Sequence, residues 1–387
     1  MVLKQLSNFV WQRVTGRQSH RHYDTYLVGY YGMQNSGDDA LLLASIMGAK
    51  HYLQSRSLLV SANKTLEFDG HDFDINPIRE AQTFKGQNRL QHYAGALKSE
   101  RVIFGGGSVF HTAQDIQVKR HMMALTDPSK CMALGVGIGP FNNDAAKKQC
   151  IAFLNECGFV GVRDQKSYEL ATKIAPQANV KLTFDLAPML ALSTPETSAT
   201  RNERGVLINV CPVPKDALGN TDELKRRALV EKMSQVIEEV WMETREPISL
   251  LSLNGHLEFG DDALCHELVE RFEGNIPVGF IPYQSNPIDM MNTIRQYKVF
   301  LSMRLHGCVF GYLTGTPVLA VNYHSKGHQW CEQVGMPLDQ RFDATTFSPK
   351  QLVQTVVQGL EFGFSLPALA LNDAVNQSLS NWRNQHD

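Results

Sequence analysis

Arg304, Leu305, His306 and Gly307 directly follow Val299-Phe-Leu-Ser-Met303. The apolar run reads as a buried strand and the residues after it as the start of a helix. A fixed cation, a titratable imidazole and unpaired helix N–H groups then share one small volume. Such a junction can hold an anion and carry a proton. Because helix N-termini disfavour positive charge, Arg304 and His306 call for an anionic ligand or an acidic partner.

Other segments carry weaker chemistry. In Gly161-Val-Arg163-Asp164-Gln-Lys-Ser167, Arg163 can fork onto a carboxylate or phosphate, or pair with Asp164 or Asp185. Gly29-Tyr-Tyr-Gly32-Met-Gln-Asn35-Ser-Gly37-Asp38-Asp39 follows a strand and opens a helix. Asp38 can cap that helix, whereas no cap requires Asn35. Gly105-Gly106-Gly107-Ser108 removes side chains where a ligand or another backbone comes close, and Gly135 to Pro140 reads as a strand end feeding a turn. Lys326, in Tyr323-His324-Ser325-Lys326-Gly327-His328, can add a point charge to an anion pocket. His324 and His328 have metal-ligand spacing, yet no third ligand is evident, so no metal site is assigned. His256 follows another strand and can face a cleft.

The elements that must position these residues alternate β-rich runs with amphipathic helices, the pattern of parallel sheets covered on both faces. Strands are expected at 25–30, 57–61, 101–104, 131–136, 159–163 and 180–184, with helices at 38–50, 87–98, 115–125, 144–157 and 165–174. The alternation restarts at 206–210 and runs through strands 248–253, 278–281, 298–302 and 317–322, with helices at 222–243, 261–272, 287–296, 306–314 and from 326. Residues 192–205 are small, polar and charged, which suits a linker. The expected organisation is an N-terminal α/β domain over 1–191, that linker, and a C-terminal α/β domain over 206–387. Two doubly wound, Rossmann-like domains facing a cleft make a GT-B-like architecture. Ligands of such sheets sit beyond the carboxyl ends of strands.

A length of 387 residues suits two domains. The 37 Lys and Arg against 39 Asp and Glu, a formal charge of −2, leave no overall field to attract nucleic acid. The seven cysteines form no C-x-x-C pair and are odd in number, which argues against a disulfide framework and for a reducing compartment. No stretch approaches the roughly 18 apolar residues of a membrane span, and no signal peptide is visible, so the expected location is cytoplasmic. In residues 1–21, Leu3, Leu6, Val10 and Val14 recur at helical spacing beside Lys4, Arg13, Arg17 and Arg21. This fits an amphipathic helix, either packed on its own domain or lying peripherally on the inner face of a membrane.

Together the motifs resemble the polysaccharide pyruvyl transferases. The matching pieces are Gly29 to Ala40, Gly105 to Ser108, Arg163-Asp164 with Ser167, Ser302 to Gly307, Gly315-Thr-Pro317, and Tyr323 with Lys326. Gly161 stands where the family often has Ser, and Asp39 where Glu is usual. The resemblance implies a GT-B-like fold and transfer of the pyruvyl group of phosphoenolpyruvate onto sugar hydroxyls as a cyclic ketal. The acceptor would be a sugar or a lipid-linked oligosaccharide in polysaccharide biosynthesis. Carried over, Arg304 and His306 bind or activate phosphoenolpyruvate, with His306 the candidate general acid. Arg163 and Lys326 help hold its charges, and Asn35 and Asp38 lie on the acceptor side; Gly106, Ser108 and His256 are further candidates for the acceptor side or cleft, the His256 loop having no counterpart in the family pattern. The scheme needs no cofactor besides the donor. Rival readings are a glycosyltransferase using a nucleotide sugar and a non-catalytic carbohydrate-binding subunit. The sequence leaves oligomeric state open.

Overall fold

The structure, a computed structural model, describes residues 22–64, 66–107, 110–193, 204–213 and 221–383. The chain forms two compact units. Of the described residues, one comprises those within 22–33, 38–189 and 375–383, and the other those within 34–37 and 190–374.

The first unit is built on seven strands: β1 (Tyr23–Tyr31), β2 (Leu58–Ala62), β3 (Asp74–Pro77), β4 (Ser99–Gly107), β5 (Met132–Val136), β6 (Phe159–Val162) and β7 (Val180–Leu182). Their order is β3-β2-β1-β4-β5-β6-β7, every pairing is parallel, and the direction of winding reverses between β1 and β4. Helices α1 (Ser36–Tyr52), α2 (Gln87–Leu97), α3 (Ala113–Leu125), α4 (Asp144–Glu156) and α5 (Gln165–Ile174) connect them. Thr112, Asn143 and Asp164 cap α3, α4 and α5 with side-chain oxygens, which satisfies N–H groups that a helix start leaves orphaned. Central strands are apolar on both faces because helices cover both. Val102, Ile103 and Phe104 of β4 are all fully buried, and each such side chain contributes roughly 1.5–3 kcal/mol by leaving water.

The second unit repeats the plan with six parallel strands: β8 (Arg204–Asn209), β9 (Ile248–Leu251), β10 (Val278–Ile281), β11 (Tyr297–Ser302), β12 (Val318–Asn322) and β13 (Arg341–Asp343). The order is β10-β9-β8-β11-β12-β13, with Leu301 opposite Ile208 across the central pair. Here the winding reverses between β8 and β11. The helices are α6 (Glu223–Thr244), α7 (Asp262–Arg271), α8 (Pro287–Ile294), α9 (Leu305–Thr314), α10 (Ser325–Gln333) and α11 (Pro349–Phe362).

The expected strands and helices of both halves are present, with ends displaced by a few residues. Edge strands β3 and β13 were not anticipated: Asp-Ile-Asn-Pro and Arg-Phe-Asp are too short and polar to carry a period-two signal. The domain boundaries need correction. The last helix, α12 (Leu371–Arg383), was expected in the C-terminal domain, but residues 375–383 group with the first unit. The reason is side-chain chemistry. Asn381 accepts from Gly135 N at 2.9 Å and Thr183 Oγ1 at 2.8 Å while donating to Phe184 O at 3.0 Å, and Gly48 lacks a Cβ where the Trp382 indole packs. Of the expected linker, residues 194–203 lie outside the described residues, and β8 already begins at Arg204. The amphipathic segment 1–21 also lies outside them. No helix among the described residues is long and apolar enough to cross a membrane.

Candidate active site

The carboxyl ends of β8 and β11, where the second sheet reverses its winding, are where an open α/β sheet leaves a crevice. Asn209 closes β8 and Ser302 closes β11. The Asn209 amide accepts from Arg304 N at 3.2 Å and donates to Leu251 O and Asp261 Oδ2 at 3.0 Å each. The Ser302 hydroxyl donates to Arg304 O at 3.1 Å. Gly307 follows because a Cβ there would overlap that hydroxyl.

Arg304 has the acidic partner its position demands. Its Nε donates to both Asp261 oxygens at 2.9 Å and its Nη2 to Oδ1 at 2.6 Å. Asp261 is fully buried and stands at the N-cap position of α7 without capping it. Its carboxylate instead accepts from Leu253 N at 3.1 Å and Asn254 N at 3.2 Å as well as from Asn209 and Arg304. Burial pushes the Asp261 carboxyl up, and the Arg304 charge and these hydrogen bonds work against that rise. Burial likewise opposes the Arg304 charge, but the Asp261 carboxylate, by its charge and hydrogen bonds, holds the guanidinium above its ordinary value. With Nε and Nη2 spent on Asp261, Nη1 is the edge of the fork left to meet a ligand.

Helix α9 starts at this point without a side-chain cap, leaving the N–H groups of its first turn for an anion. His306 sits in that turn. Its ring packs on Gly37, where a Cβ would overlap the imidazole. Residues 34–37 join the second unit through main-chain contacts: Ser36 N donates to Leu253 O and Gly255 N to Gln34 O, both at 2.9 Å. Asn35 bridges Asn254, and its side chain accepts from Gly37 N at 3.1 Å. The Asn-x-Gly motif thus shapes a floor for the imidazole.

Strand β12 lies beside β11 and delivers Tyr323 and Lys326 to the same edge. The Tyr323 hydroxyl lies near the Cys211 thiol, and burial pushes both groups up, the thiol to about 11. His324 caps α10 by accepting from Lys326 N at 3.2 Å, and His328 Nε2 faces Asp343 at 3.6 Å. His256 lies in the loop with Asn254, its Nδ1 accepting from Glu258 N at 3.1 Å and Phe259 N at 3.3 Å.

The remaining candidates belong to the first unit. Arg163 Nη1 donates to Asp185 at 3.3 Å, both residues buried, so the ion-pair reading is realised there and a donor-binding role rests on the family resemblance. Asp164 accepts from Ser167 N and Oγ, and Ser167 Oγ accepts from Ile138 N at 2.9 Å, which accounts structurally for the motif's Asp and Ser. Gly106 has φ +63° and presses on Leu41, and Gly105 lies under the Tyr31 phenol, which donates to its carbonyl at 3.0 Å. Close packing explains both glycines. Asp38 lies beside Gly107, and Ser108 is outside the described residues.

Arg304 and His306 stand at the strand-to-helix junction expected of them, whereas the neighbours Asp261, Asn209 and Cys211 and the packing of His306 on Gly37 were not anticipated. The demand for an acid near Arg304 was the available signal, and Asp261, opening a helix after a neighbouring strand, was the place to apply it.

Comparison with solved structures places both units in the GT-B-like class. The UDP-GlcNAc 2-epimerase of Methanocaldococcus jannaschii aligns with TM-score 0.60 at 8% identity, covering 91% of this chain and 97% of that one. A putative UDP-N-acetylglucosamine 2-epimerase from Listeria monocytogenes gives TM-score 0.60 at 10% identity, covering 94% and 97%. The Neisseria meningitidis UDP-GlcNAc 2-epimerase, solved with UDP-GlcNAc, gives 0.59 at 11%, covering 92% and 97%. At these identities the likeness is one of fold. No curated protein sequence matches the chain. The model of the family described as polysaccharide pyruvyl transferase matches residues 35–325, a span that runs from Asn35 through the Arg304–His306 junction to the first residue of α10, and the chain belongs to that family.

Proposed function

We propose that the chain transfers the pyruvyl group of phosphoenolpyruvate to two hydroxyls of a sugar in a glycan precursor, forming a cyclic ketal at the β8–β11 crevice. The observation that carries this reading is the Asp261-clamped Arg304 beside His306 at the uncapped start of α9. Phosphoenolpyruvate brings a carboxylate and a phosphate, which suit a guanidinium edge, helix N–H groups and the Lys326 charge.

In the scheme His306, protonated, gives its proton to the methylene carbon, and the adjacent carbon becomes oxocarbenium-like. A sugar hydroxyl adds there and returns its proton to the imidazole. The bond between that carbon and the phosphate oxygen then breaks, and a second hydroxyl closes the ketal, giving its proton to the departing inorganic phosphate. Asp261 holds the Arg304 fork in place throughout and takes no part in proton transfer.

The test is incubation with phosphoenolpyruvate and galactose-, glucose- or mannosamine-type glycans. Phosphate release matched by a ketal-linked pyruvyl group on the sugar is expected. Turnover of a nucleotide sugar instead, with phosphoenolpyruvate untouched, would overturn the assignment.

A further inference from the structure

A second site lies within the first unit. Between the N-terminal ends of α2 and α3, a cavity of about 490 Å³ is lined by Val28 of β1, Phe84, Lys85, Arg89, His92 and Lys119 among others. It flanks the β1–β4 reversal, the counterpart in this sheet of the crevice that holds Arg304 in the other.

The hydrogen bonding beneath His92 fixes what that side chain presents. Asn76 Nδ2 donates to Gln91 O at 2.9 Å, which sets the amide's orientation, and to Tyr26 Oη at 2.6 Å. Tyr26 is fully buried, so its own proton needs an acceptor, and His92 Nδ1 at 3.1 Å is the one within reach. The proton of the neutral imidazole is then on Nε2. His92 therefore offers a positioned N–H donor.

Around that donor the chemistry divides. Phe84 is 53% exposed and supplies a flat apolar face. Lys119 is tied to Asp115 at 2.6 Å. Lys85 and Arg89 are exposed and, among the described residues, make no ion pair. A ring stacking on Phe84, an oxygen for His92 Nε2–H and a negative group for Lys85 and Arg89 together describe one ligand class.

We propose that this pocket binds an anionic glycosyl group, a sugar bearing a phosphate or diphosphate.

Titration calorimetry of the full chain with α-hexose 1-phosphates, the matching methyl hexosides, inorganic phosphate and phosphoenolpyruvate tests the site. Hexose 1-phosphates should bind more tightly than methyl hexosides and inorganic phosphate. Lys85→Ala with Arg89→Ala should weaken them about tenfold or more, since two charge-assisted contacts are lost, and leave phosphoenolpyruvate binding unchanged. His92→Ala should weaken both sugar series, and His92→Gln, whose amide N–H can stand in for Nε2–H, should recover part of the loss. Equal binding by wild type and the double variant would overturn the proposal. So would loss of phosphoenolpyruvate binding in the double variant, or no hexose 1-phosphate binding to wild type. Loss of hexose 1-phosphate binding in a protein that never turns over phosphoenolpyruvate would keep the pocket and remove the pyruvyl reading.

Discussion

Asp261 and Arg304 are 43 residues apart in sequence and joined by three hydrogen bonds of 2.6 to 2.9 Å. The pairing converts a cation at a helix start, an unfavourable placement, into a fixed fork with one free edge. Asp261→Asn should leave the guanidinium charge buried without its counter-ion, at a cost of about 3–5 kcal/mol of stability. Urea unfolding measures it. Arg304→Lys should keep the fold but lose most activity, because an ammonium cannot engage both Asp261 oxygens and a ligand at once.

Gly37→Ala isolates the floor under His306. The added methyl overlaps the imidazole, and Gly37 does not occupy the left-handed region, so the substitution acts by displacing the ring. A shift of about 1 Å in a reacting group can lower turnover about 10²-fold. Steady-state kinetics with phosphoenolpyruvate should show a lower kcat, with circular dichroism unchanged. An equally active Gly37→Ala protein would mean that His306 tolerates displacement and has no proton-transfer role.

The two sheets and the Arg304–His306 junction were legible because each rests on local pattern: apolar runs, glycine turns and a strand that stops at a charged pair. What was hidden depends on strand order. Asp261 and Asn209 reach Arg304 because β8 lies between β9 and β11, a neighbour relation that no spacing in the sequence encodes. Asn35 was read within the segment that follows a first-sheet strand and opens a helix, but the main-chain partners of residues 34–36 are 253–255. The same blindness assigned α12 by chain order to the domain it follows.

That helix gives a third prediction. Trp382 is 2% exposed and its Nε1 donates to Met189 Sδ at 3.0 Å. Trp382→Ala should cost about 3–5 kcal/mol, and Asn381→Leu should strand Gly135 N without an acceptor, costing about 1–3 kcal/mol, while Thr183 Oγ1 keeps the Val162 carbonyl. Hydrogen exchange should show the loss as reduced protection in β5 and β6. Loss confined to β11 and β12 would contradict the assignment of α12 to the first unit.

The last prediction concerns pH. Burial, with Lys119 nearby, depresses His92 from 6.5 to about 4. The unfolded chain therefore binds a proton at His92 that the folded chain refuses between those values. Stability from this residue is complete above pH 6.5 and is lost as pH falls toward 4, amounting to about 3 kcal/mol at most. Unfolding free energy measured at half-unit steps from pH 7 to 4 should fall more steeply in wild type than in His92→Gln, which keeps an amide but cannot titrate. Parallel profiles would mean that His92 takes up its proton in the folded protein, and that the Nε2–H tautomer is not the only form presented to the pocket.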